Sequence, residues 1–317
     1  MVIAVIIPCY CVKDHILAVL SKIGPEVQHI VVVDDCCPEQ SGKWVEQKQS
    51  DPRVSVLYNP ENFGVGKTVM TGYDYAAQLG AHILVKVDGD GQMNPHLISH
   101  FVTPIQKNQA DYTKGNRFWS LHQIHRMPLL RIIGNAALSF MAKISTGYWN
   151  LFDPTNGFTA IHANVWKACR QDKISPRYFF ETDLLFRLNT IRAVVIDIPM
   201  DAVYGTETSQ VRISRVLPEF LLKHSQNLLK RIFYNYFLRD LTLASLQLVF
   251  GLSLFTFGVV NGLIHWHEAL LTQTPTPLGT IMVAALTTIL GFQLLLAFLA
   301  YDISNLPQRP IHSDLNF

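Results

Sequence analysis

The residues best suited to chemistry are Asp88 and Asp90, two aspartates one residue apart, each followed by a glycine. They come directly after an apolar run, His82 to Val87, which predicts a buried β-strand. Glycines allow a sharp turn and the close approach of a ligand, so both carboxylates could face one cation. Oxygen-rich sites of this kind suit Mg²⁺ or Mn²⁺, which often share their ligand shell with substrate phosphates. The alternative for an isolated Asp-Gly-Asp sequence is a solvated acidic turn.

A second acidic pair, Asp34 and Asp35, follows another predicted strand, His29 to Val33. In largely parallel sheets, ligands bind beyond the carboxyl ends of the strands. We therefore expect both acidic pairs at the same rim of one sheet. The alternative for either residue of this pair is a helix N-cap or a turn.

The elements that must position these acids alternate between strand and helix patterns. Strands are predicted over residues 2–7, 29–33, 54–58 and 82–87, and helices over 16–23, 42–49 and 67–79. This alternation indicates βαβ units and an α/β domain with a largely parallel sheet. Farther along, the pattern predicts a short strand ending at 115–117, a helix over 129–144, a helix that residues 180–183 open, and a last strand over 194–198.

From Leu241 onward the composition is different. Residues 241–264 and 278–301 are two runs of 24 residues without a charged side chain, each long enough to cross a hydrocarbon core of about 30 Å. The connection 265–277 lacks Lys and Arg, whereas basic residues precede the first run. The positive-inside rule therefore predicts an external connection, with the N-terminal domain and both termini cytoplasmic.

This composition predicts four parts: a catalytic domain over residues 1–210, amphipathic juxtamembrane helices over 211–240, a two-helix transmembrane hairpin within 241–302, and a cytoplasmic tail over 303–317. The juxtamembrane part is expected to be a helix pair whose Lys223, Lys230 and Arg231 are available to anionic headgroups, or alternatively to pack on the catalytic domain. The expected location is a bacterial inner membrane or its equivalent. The net charge of +2 gives no indication of nucleic-acid binding, and the five cysteines are expected to be reduced.

Seven short motifs occur in the order seen in family 2 glycosyltransferases. They are Pro8-Cys9-Tyr10, Val33-Asp34-Asp35, Asn62-Phe63-Gly64, the Asp88–Gln92 segment, Gly115-Asn116-Arg117, the Asp153–Phe158 segment and Phe180-Glu181. Over roughly residues 1–215, the chain resembles more narrowly the polyprenyl-phosphate glycosyltransferases, which include dolichyl-phosphate mannose synthases and bacterial enzymes that glucosylate undecaprenyl phosphate. The resemblance implies a GT-A fold, which is Rossmann-like, and transfer from a UDP- or GDP-sugar with inversion at the anomeric carbon.

The resemblance also implies roles for the acidic residues. Asp34 or Asp35 would bind the base or ribose, and Asp88 would lie near the ribose and the metal ion. Asp90 would ligate Mg²⁺ or Mn²⁺, with help from Gln92. The full set expected to hold the nucleotide sugar is Pro8, Tyr10, Asp34, Asp35, Asn62, Lys67, Asp88 and Gly89. The chain departs from the family pattern at Cys36-Cys37, where glycine and serine are usual, and at Asn116, where serine is usual.

The acceptor decides whether a general base is needed. A phosphate monoester is largely dianionic at pH 7 and can attack without help, but nearby cations must offset the repulsion between acceptor and donor phosphates. The candidates for that task are Arg117, Arg126, Arg131, Ser209 and Arg212. A hydroxyl acceptor would need a positioned carboxylate, for which Asp183 or Asp153 would serve.

Three functions therefore stay open at this point: transfer to a polyprenyl phosphate, transfer to a hydroxyl of a membrane glycolipid or glycan, and a catalytically silent membrane scaffold. The scaffold predicts loss of a motif acid, and every motif acid is present. The paired amphipathic and membrane helices also offer self-complementary surfaces for a homo-oligomer.

Overall fold

A computed structural model of the chain describes residues 1–119, 129–201 and 213–315. The chain divides into two compact units. The first comprises Met1–Leu228 together with the C-terminal Pro307–Phe317, and the second comprises Leu229–Leu306.

Seven strands form one sheet in the first unit. They are β1 (Ile3–Cys9), β2 (His29–Asp34), β3 (Val54–Tyr58), β4 (Ile83–Lys86), β5 (Tyr112–Asn116), β6 (Thr159–His162) and β7 (Val195–Pro199). Their order is β3-β2-β1-β4-β6-β5-β7, and every neighbouring pair is parallel except the two that involve β6. The predicted α/β domain with a largely parallel sheet is confirmed.

Eight α-helices begin in the described part of the first unit, and the last of them continues into the second unit. They are α1 (Ile16–Leu20), α2 (Ser41–Lys48), α3 (Val65–Gln78), α4 (Ile98–Gln106), α5 (Leu129–Thr146), α6 (Ala163–Ala168), α7 (Phe180–Thr190) and α8 (Ile213–Phe233). Strand β1 is buried from Ile3 to Ile7, as expected for a central parallel strand. Its side chains share one apolar cluster with Val85 of β4 and Phe101 of α4.

Strand β6 was not predicted, and its direction matters for the site. It runs antiparallel to β4, with Thr159 opposite Lys86. The beginning of β6 therefore lies beside the carboxyl end of β4, and the turn that precedes β6 comes to the same rim. Four residues of mixed character, Thr-Ala-Ile-His, carry too little periodicity to identify a strand.

The C-terminal tail is part of the first unit. Asp111, which is fully buried, accepts hydrogen bonds from the backbone N–H groups of Ile311 and His312, both at 2.9 Å. The His312 Nδ1 atom lies 2.8 Å from the same carboxylate, and its ring stacks on His162 with ring centres 4.5 Å apart. The tail is thus held by a buried carboxylate near the amino end of β5.

The second unit contains two long apolar helices, α9 (Leu243–Thr272) and α10 (Leu278–Ser304), each long and apolar enough to cross a membrane. Helix α9 continues beyond the expected end at residue 264 and includes His265 and Glu268. The side chains of these two residues lie one turn apart and contact each other at 2.8 Å. It ends where Gln273 adopts a positive φ of 55°, and prolines follow. The predicted connection of residues 265–277 is correspondingly shorter.

Small residues let the two helices approach closely. A Cβ added at Gly291 would lie 2.3 Å from the backbone nitrogen of Phe255, and one added at Gly258 would lie 2.4 Å from Thr288 Oγ1. Backbone contact of this kind is typical of packed membrane helices.

The predicted pair of juxtamembrane helices is instead the single helix α8 followed by a π-helical turn, Tyr234–Arg239. Within the second unit, Arg231 is only 2% exposed and forms a two-pronged ion pair with Asp302, at 2.6 and 3.0 Å. The expectation that Arg231 is available to lipid headgroups is therefore wrong, since its guanidinium group is buried in an ion pair with Asp302.

Candidate active site

Asp88 lies just beyond β4 and belongs to a cluster of three charged side chains centred on the buried Lys86. The Nζ atom of Lys86 lies 2.8 Å from Asp88 Oδ1 and 3.3 Å from Glu181 Oε1. Lys86 is only 1% exposed, and it also donates a hydrogen bond to the carbonyl of Gly157 at 3.2 Å. One lysine therefore holds carboxylates from two distant segments of the chain at the rim.

The environment shifts the pKa values of Lys86 and Glu181. Burial lowers the pKa of Lys86, but the charges of Asp88 and Glu181 outweigh it and leave the pKa above its ordinary value. Burial raises the pKa of Glu181, and Lys86 opposes that shift without cancelling it. Space is equally constrained, because a Cβ added at Gly157 would lie 2.4 Å from Lys86 Nζ and 2.6 Å from Asp88 Oδ2.

Lys86 and Glu181 were missing from the predicted site residues. The signal was present for Lys86: a lysine inside an otherwise apolar buried strand requires acidic partners, because an unpaired buried charge is very costly. Glu181 belongs to the Phe180-Glu181 motif, but nothing in the sequence indicates that it pairs with Lys86. It lies 95 positions from Lys86 in the sequence, and only the packing of α7 brings the two together.

Asp90 lies on the turn that follows. The backbone N–H of Gln92 donates to Asp90 Oδ1 at 3.0 Å, and Gly91 between them has a positive φ of 80°. Asp90 is half-buried and Gln92 is exposed, while the Asp88 side chain is 28% exposed. The carboxylates therefore lie on a tight turn at the rim, as predicted.

The donor set at this turn is chemically suited to a hard cation. Two carboxylates and an amide oxygen are the ligands that Mg²⁺ and Mn²⁺ prefer. Across the described parts of the chain, no group of three His, Cys, Asp or Glu side chains is gathered to hold a metal ion. The residues present fit an ion that takes its remaining ligands from substrate phosphates, which is the usual arrangement for Mg²⁺.

The first acidic pair organises two loops. Asp34 is buried and accepts hydrogen bonds from the backbone N–H groups of Cys37 and Gly42, both at 2.7 Å. Asp35 is also buried and accepts from the backbone N–H of Gly64 at 2.8 Å, along with further donors in that loop. Both carboxylates therefore accept hydrogen bonds from loop backbone, which is the structural role that the sequence offered as the alternative to nucleotide binding. These contacts hold the loops at the rim near β2.

Arg117 and Asp153, predicted as a phosphate-facing cation and a general base, are partners. Arg117 donates from Nε and Nη2 to the two carboxylate oxygens of Asp153, at 2.7 and 2.6 Å. Burial raises the pKa of Asp153, but the hydrogen bonds and charge of Arg117 outweigh it, so the pKa lies below its ordinary value. Asp153 therefore stays ionised and positions Arg117, whose side chain is 25% exposed. That placement is poorly suited to accepting a proton.

Asp183, the other candidate base, is likewise engaged in hydrogen bonds within the protein. It is 4% exposed and accepts hydrogen bonds from the backbone N–H of Ser175 at 2.9 Å and from Asn227 Nδ2 at 3.0 Å. These contacts tie α7 to the preceding loop and to α8, which is a structural task.

The remaining predicted residues are distributed around the same rim. Tyr10 is 46% exposed and Pro8 is half-buried, both at the carboxyl end of β1. Asn62 and Lys67 are exposed near the start of α3, and Gly89 is buried between Asp88 and Asp90. Arg126, Ser209 and Arg212 lie outside the described residues, as does the side chain of Arg131.

A largely parallel sheet with acidic residues at its rim is the arrangement expected of a glycosyltransferase, and comparison with known proteins agrees. The sequence pattern of the family described as "Glycosyl transferase family 2" matches residues 4–169. The chain belongs to this family and is a glycosyltransferase.

Two curated relatives have similar sequences. A UDP-N-acetylglucosamine–dolichyl-phosphate N-acetylglucosaminyltransferase from Methanococcus voltae is 26% identical over 239 residues, covering 71% of this chain and 94% of that protein. An undecaprenyl-phosphate mannosyltransferase from Micrococcus luteus is 27% identical over 202 residues, covering 62% of this chain and 82% of that protein.

Solved structures agree on the fold. Glucosyl-3-phosphoglycerate synthase from Mycobacterium tuberculosis, crystallised with Mn²⁺, uridine-diphosphate-glucose and phosphoglyceric acid, superposes with a TM-score of 0.53. The alignment covers 73% of this chain and 79% of that chain at 16% sequence identity. The likeness establishes the GT-A type of fold.

Proposed function

We propose that this glycosyltransferase moves a sugar, with inversion, from a nucleotide sugar to a polyprenyl phosphate at the cytoplasmic face of a membrane. The observation that carries the proposal is the rim built by Asp88 and Asp90 in a chain that also has two membrane-length helices. The names of the Methanococcus and Micrococcus relatives, which act on dolichyl phosphate and undecaprenyl phosphate, support the acceptor class.

On the donor side, departure of the nucleotide places growing negative charge on a diphosphate. A Mg²⁺ or Mn²⁺ ion held by Asp88, Asp90 and Gln92 would offset that charge when bound. Lys86 fixes the orientation of Asp88 through its contact at 2.8 Å. The exposed ring of Tyr10 and the exposed Lys67 and Asn62 are proposed to contact the nucleotide sugar, alongside the loops that Asp34 and Asp35 order.

On the acceptor side, the geometry favours a phosphate over a hydroxyl. A hydroxyl must lose its proton to a positioned base, and the two predicted bases are engaged: Asp153 with Arg117, and Asp183 with Ser175 and Asn227. A phosphate monoester dianion needs no such base. It needs cations, and we propose Arg117, Arg126, Arg131 and Arg212, with Ser209, for that task.

The placement of the tail supports the predicted topology. Residues before the two long helices and residues after them belong to the same unit, since His312 contacts Asp111. A hairpin that crosses a membrane twice returns the chain to the side from which it left. The catalytic domain and the C-terminus are therefore proposed to share one side, and the basic residues that precede Leu243 favour the cytoplasm.

A transfer assay tests the proposal. Purified full-length protein with Mg²⁺ or Mn²⁺ is incubated with radiolabelled UDP- and GDP-sugars and either polyprenyl phosphate or the matching polyprenol. Label transferred only to the phosphate, as an acid-labile lipid, is the expected result. Label on polyprenol, with none on polyprenyl phosphate, would refute the proposed acceptor.

A variant pair tests the metal ligands. Asp90→Asn is expected to lower transfer at least a hundredfold and to weaken Mn²⁺ binding measured by electron paramagnetic resonance. Asp14→Asn, at an exposed aspartate, is the matched control. Wild-type Mn²⁺ binding and transfer by Asp90→Asn would refute the assignment.

A further inference from the structure

Two cysteines from adjacent strands meet at the rim. Cys11 follows β1 and Cys37 follows β2, which are neighbouring parallel strands. The backbone N–H of Cys11 donates to the Sγ atom of Cys37 at 3.1 Å, which places the two residues in direct contact. Cys11 is exposed, and Cys37 keeps 7% of its surface accessible to solvent, so the pair lies next to solvent.

The backbone at Cys11 is held in an unusual conformation. Its φ of 53° lies in the left-handed region, which favours glycine over residues with a side chain. The hydrogen bond from its N–H to Cys37 Sγ helps to maintain that conformation. Strain of this kind, kept in place by a specific contact, is common at functional positions.

The surroundings favour the thiolate of Cys37. Burial raises its pKa, but hydrogen bonds outweigh that effect and leave the pKa below its ordinary value. The donors include the hydroxyl of Ser41, whose Oγ lies 3.2 Å from Sγ, and the backbone of Cys11. The neighbouring Cys9 is buried, and burial raises its pKa far above the ordinary range, which makes it inert.

We propose that Cys11 and Cys37 are a reversible redox pair, which a peroxide oxidises to a disulfide linking the loops after β1 and β2. In the first step, the Cys37 thiolate attacks one peroxide oxygen, the O–O bond breaks, and Cys37 sulfenic acid and hydroxide form. In the second step, the Cys11 sulfur attacks the Cys37 sulfur, and the hydroxyl group leaves with the Cys11 proton as water. Two thiols are oxidised, and one hydrogen peroxide is reduced to two waters.

The consequence for the site follows from geometry. A disulfide requires the two sulfurs to lie about 2.05 Å apart, so its formation ties the two loops that carry them directly to each other. Tyr10 immediately precedes Cys11, and Asp35 lies two residues before Cys37. The effect of oxidation on donor binding rests on the proposed function, whereas formation of the disulfide does not.

The test uses full-length protein in detergent, treated with hydrogen peroxide and then with N-ethylmaleimide before peptide mass spectrometry. The expected product is a peptide pair joined through Cys11 and Cys37, which dithiothreitol converts back to two thiols. Cys11→Ser and Cys37→Ser should both abolish it. Cys36→Ser, which removes an exposed neighbouring thiol, is the matched control and should leave it unchanged.

A disulfide through Cys36 or Cys9, or stable over-oxidation of Cys37 beside an unmodified Cys11, would overturn the pairing, as would the absence of any joined peptide. In the transfer assay, oxidised wild type is expected to show at least a threefold higher KM for the donor, reversed by dithiothreitol, while Cys11→Ser stays insensitive to peroxide. Absence of transfer by the reduced protein would instead count against the proposed function, because the mass spectrum reports on the disulfide independently.

Discussion

Replacing Lys86 with methionine tests the charge cluster at the rim most directly. Methionine is close to lysine in length and apolar bulk, so little volume is lost. The change removes a cation that lies 2.8 Å from Asp88 and 3.3 Å from Glu181. The lysine that carries this charge is only 1% exposed. Breaking a buried ion pair by removing one partner typically costs about 3–5 kcal/mol, because the other charge is left uncompensated. We expect Lys86→Met to lower the free energy of unfolding by that amount.

The assay is denaturant unfolding of the purified protein, followed by near-ultraviolet circular dichroism, which reports on packing in the catalytic unit. The double variant Lys86→Met/Glu181→Gln is expected to recover more than half of the loss, since glutamine carries no charge to compensate. Lys107→Met, at an exposed lysine, is the control and should match the wild type. Recovery should be incomplete, because Asp88, whose side chain is 28% exposed, still loses its contact with Lys86.

The pH dependence gives a second readout. Burial already raises the pKa of Glu181, and Lys86 opposes this shift; without Lys86 the pKa rises further. A carboxyl whose pKa is higher in the folded state is favourable when protonated, and that contribution is lost as the pH rises. The penalty of Lys86→Met is therefore expected to be smallest near pH 4 and to grow toward neutral pH. A loss under about 1 kcal/mol at pH 7, or a penalty that shrinks with rising pH, would contradict the reasoning.

Three further predictions concern other parts of the catalytic unit. Gly157→Ala places a Cβ 2.4 Å from Lys86 Nζ and should destabilise by about 1–3 kcal/mol and lower transfer more than tenfold, measured by unfolding and by the lipid assay. Burial, with a contribution from His312, lowers the pKa of His162 to about 4. As the pH falls from 6.5 to 4, His162 binds a proton in the unfolded chain but not in the folded protein, which lowers the free energy of unfolding by about 3 kcal/mol. In unfolding measurements, His162→Gln should remove that part of the loss of stability in acid. Asp111→Ala removes the acceptor for the backbone of Ile311 and His312, so hydrogen exchange at these two amides should become at least a hundredfold faster, and unchanged protection would refute the tail contact.

Local patterns in the sequence were enough to identify the framework of the site. Alternating apolar strands and helices predicted the largely parallel sheet, and the carboxyl ends of β2 and β4 carry the acids expected there. Uninterrupted apolar runs predicted the two long helices of the second unit. These features depend on periodicity and composition within about 25 residues, which is the range over which a sequence can be read directly.

Partnerships between distant residues were decided by the tertiary structure alone. Arg117 pairs with Asp153, Lys86 with Glu181 as well as Asp88, and Arg231 with Asp302, while Asp111 holds the tail. The partners in most of these pairs lie far apart in the sequence, so no local spacing of residues predicts that they pair. Burial makes each pairing obligatory, because a charge removed from water must find an opposite charge or hydrogen bonds. The sequence thus determined which charged groups reach the rim, whereas packing determined which of them stay available for chemistry.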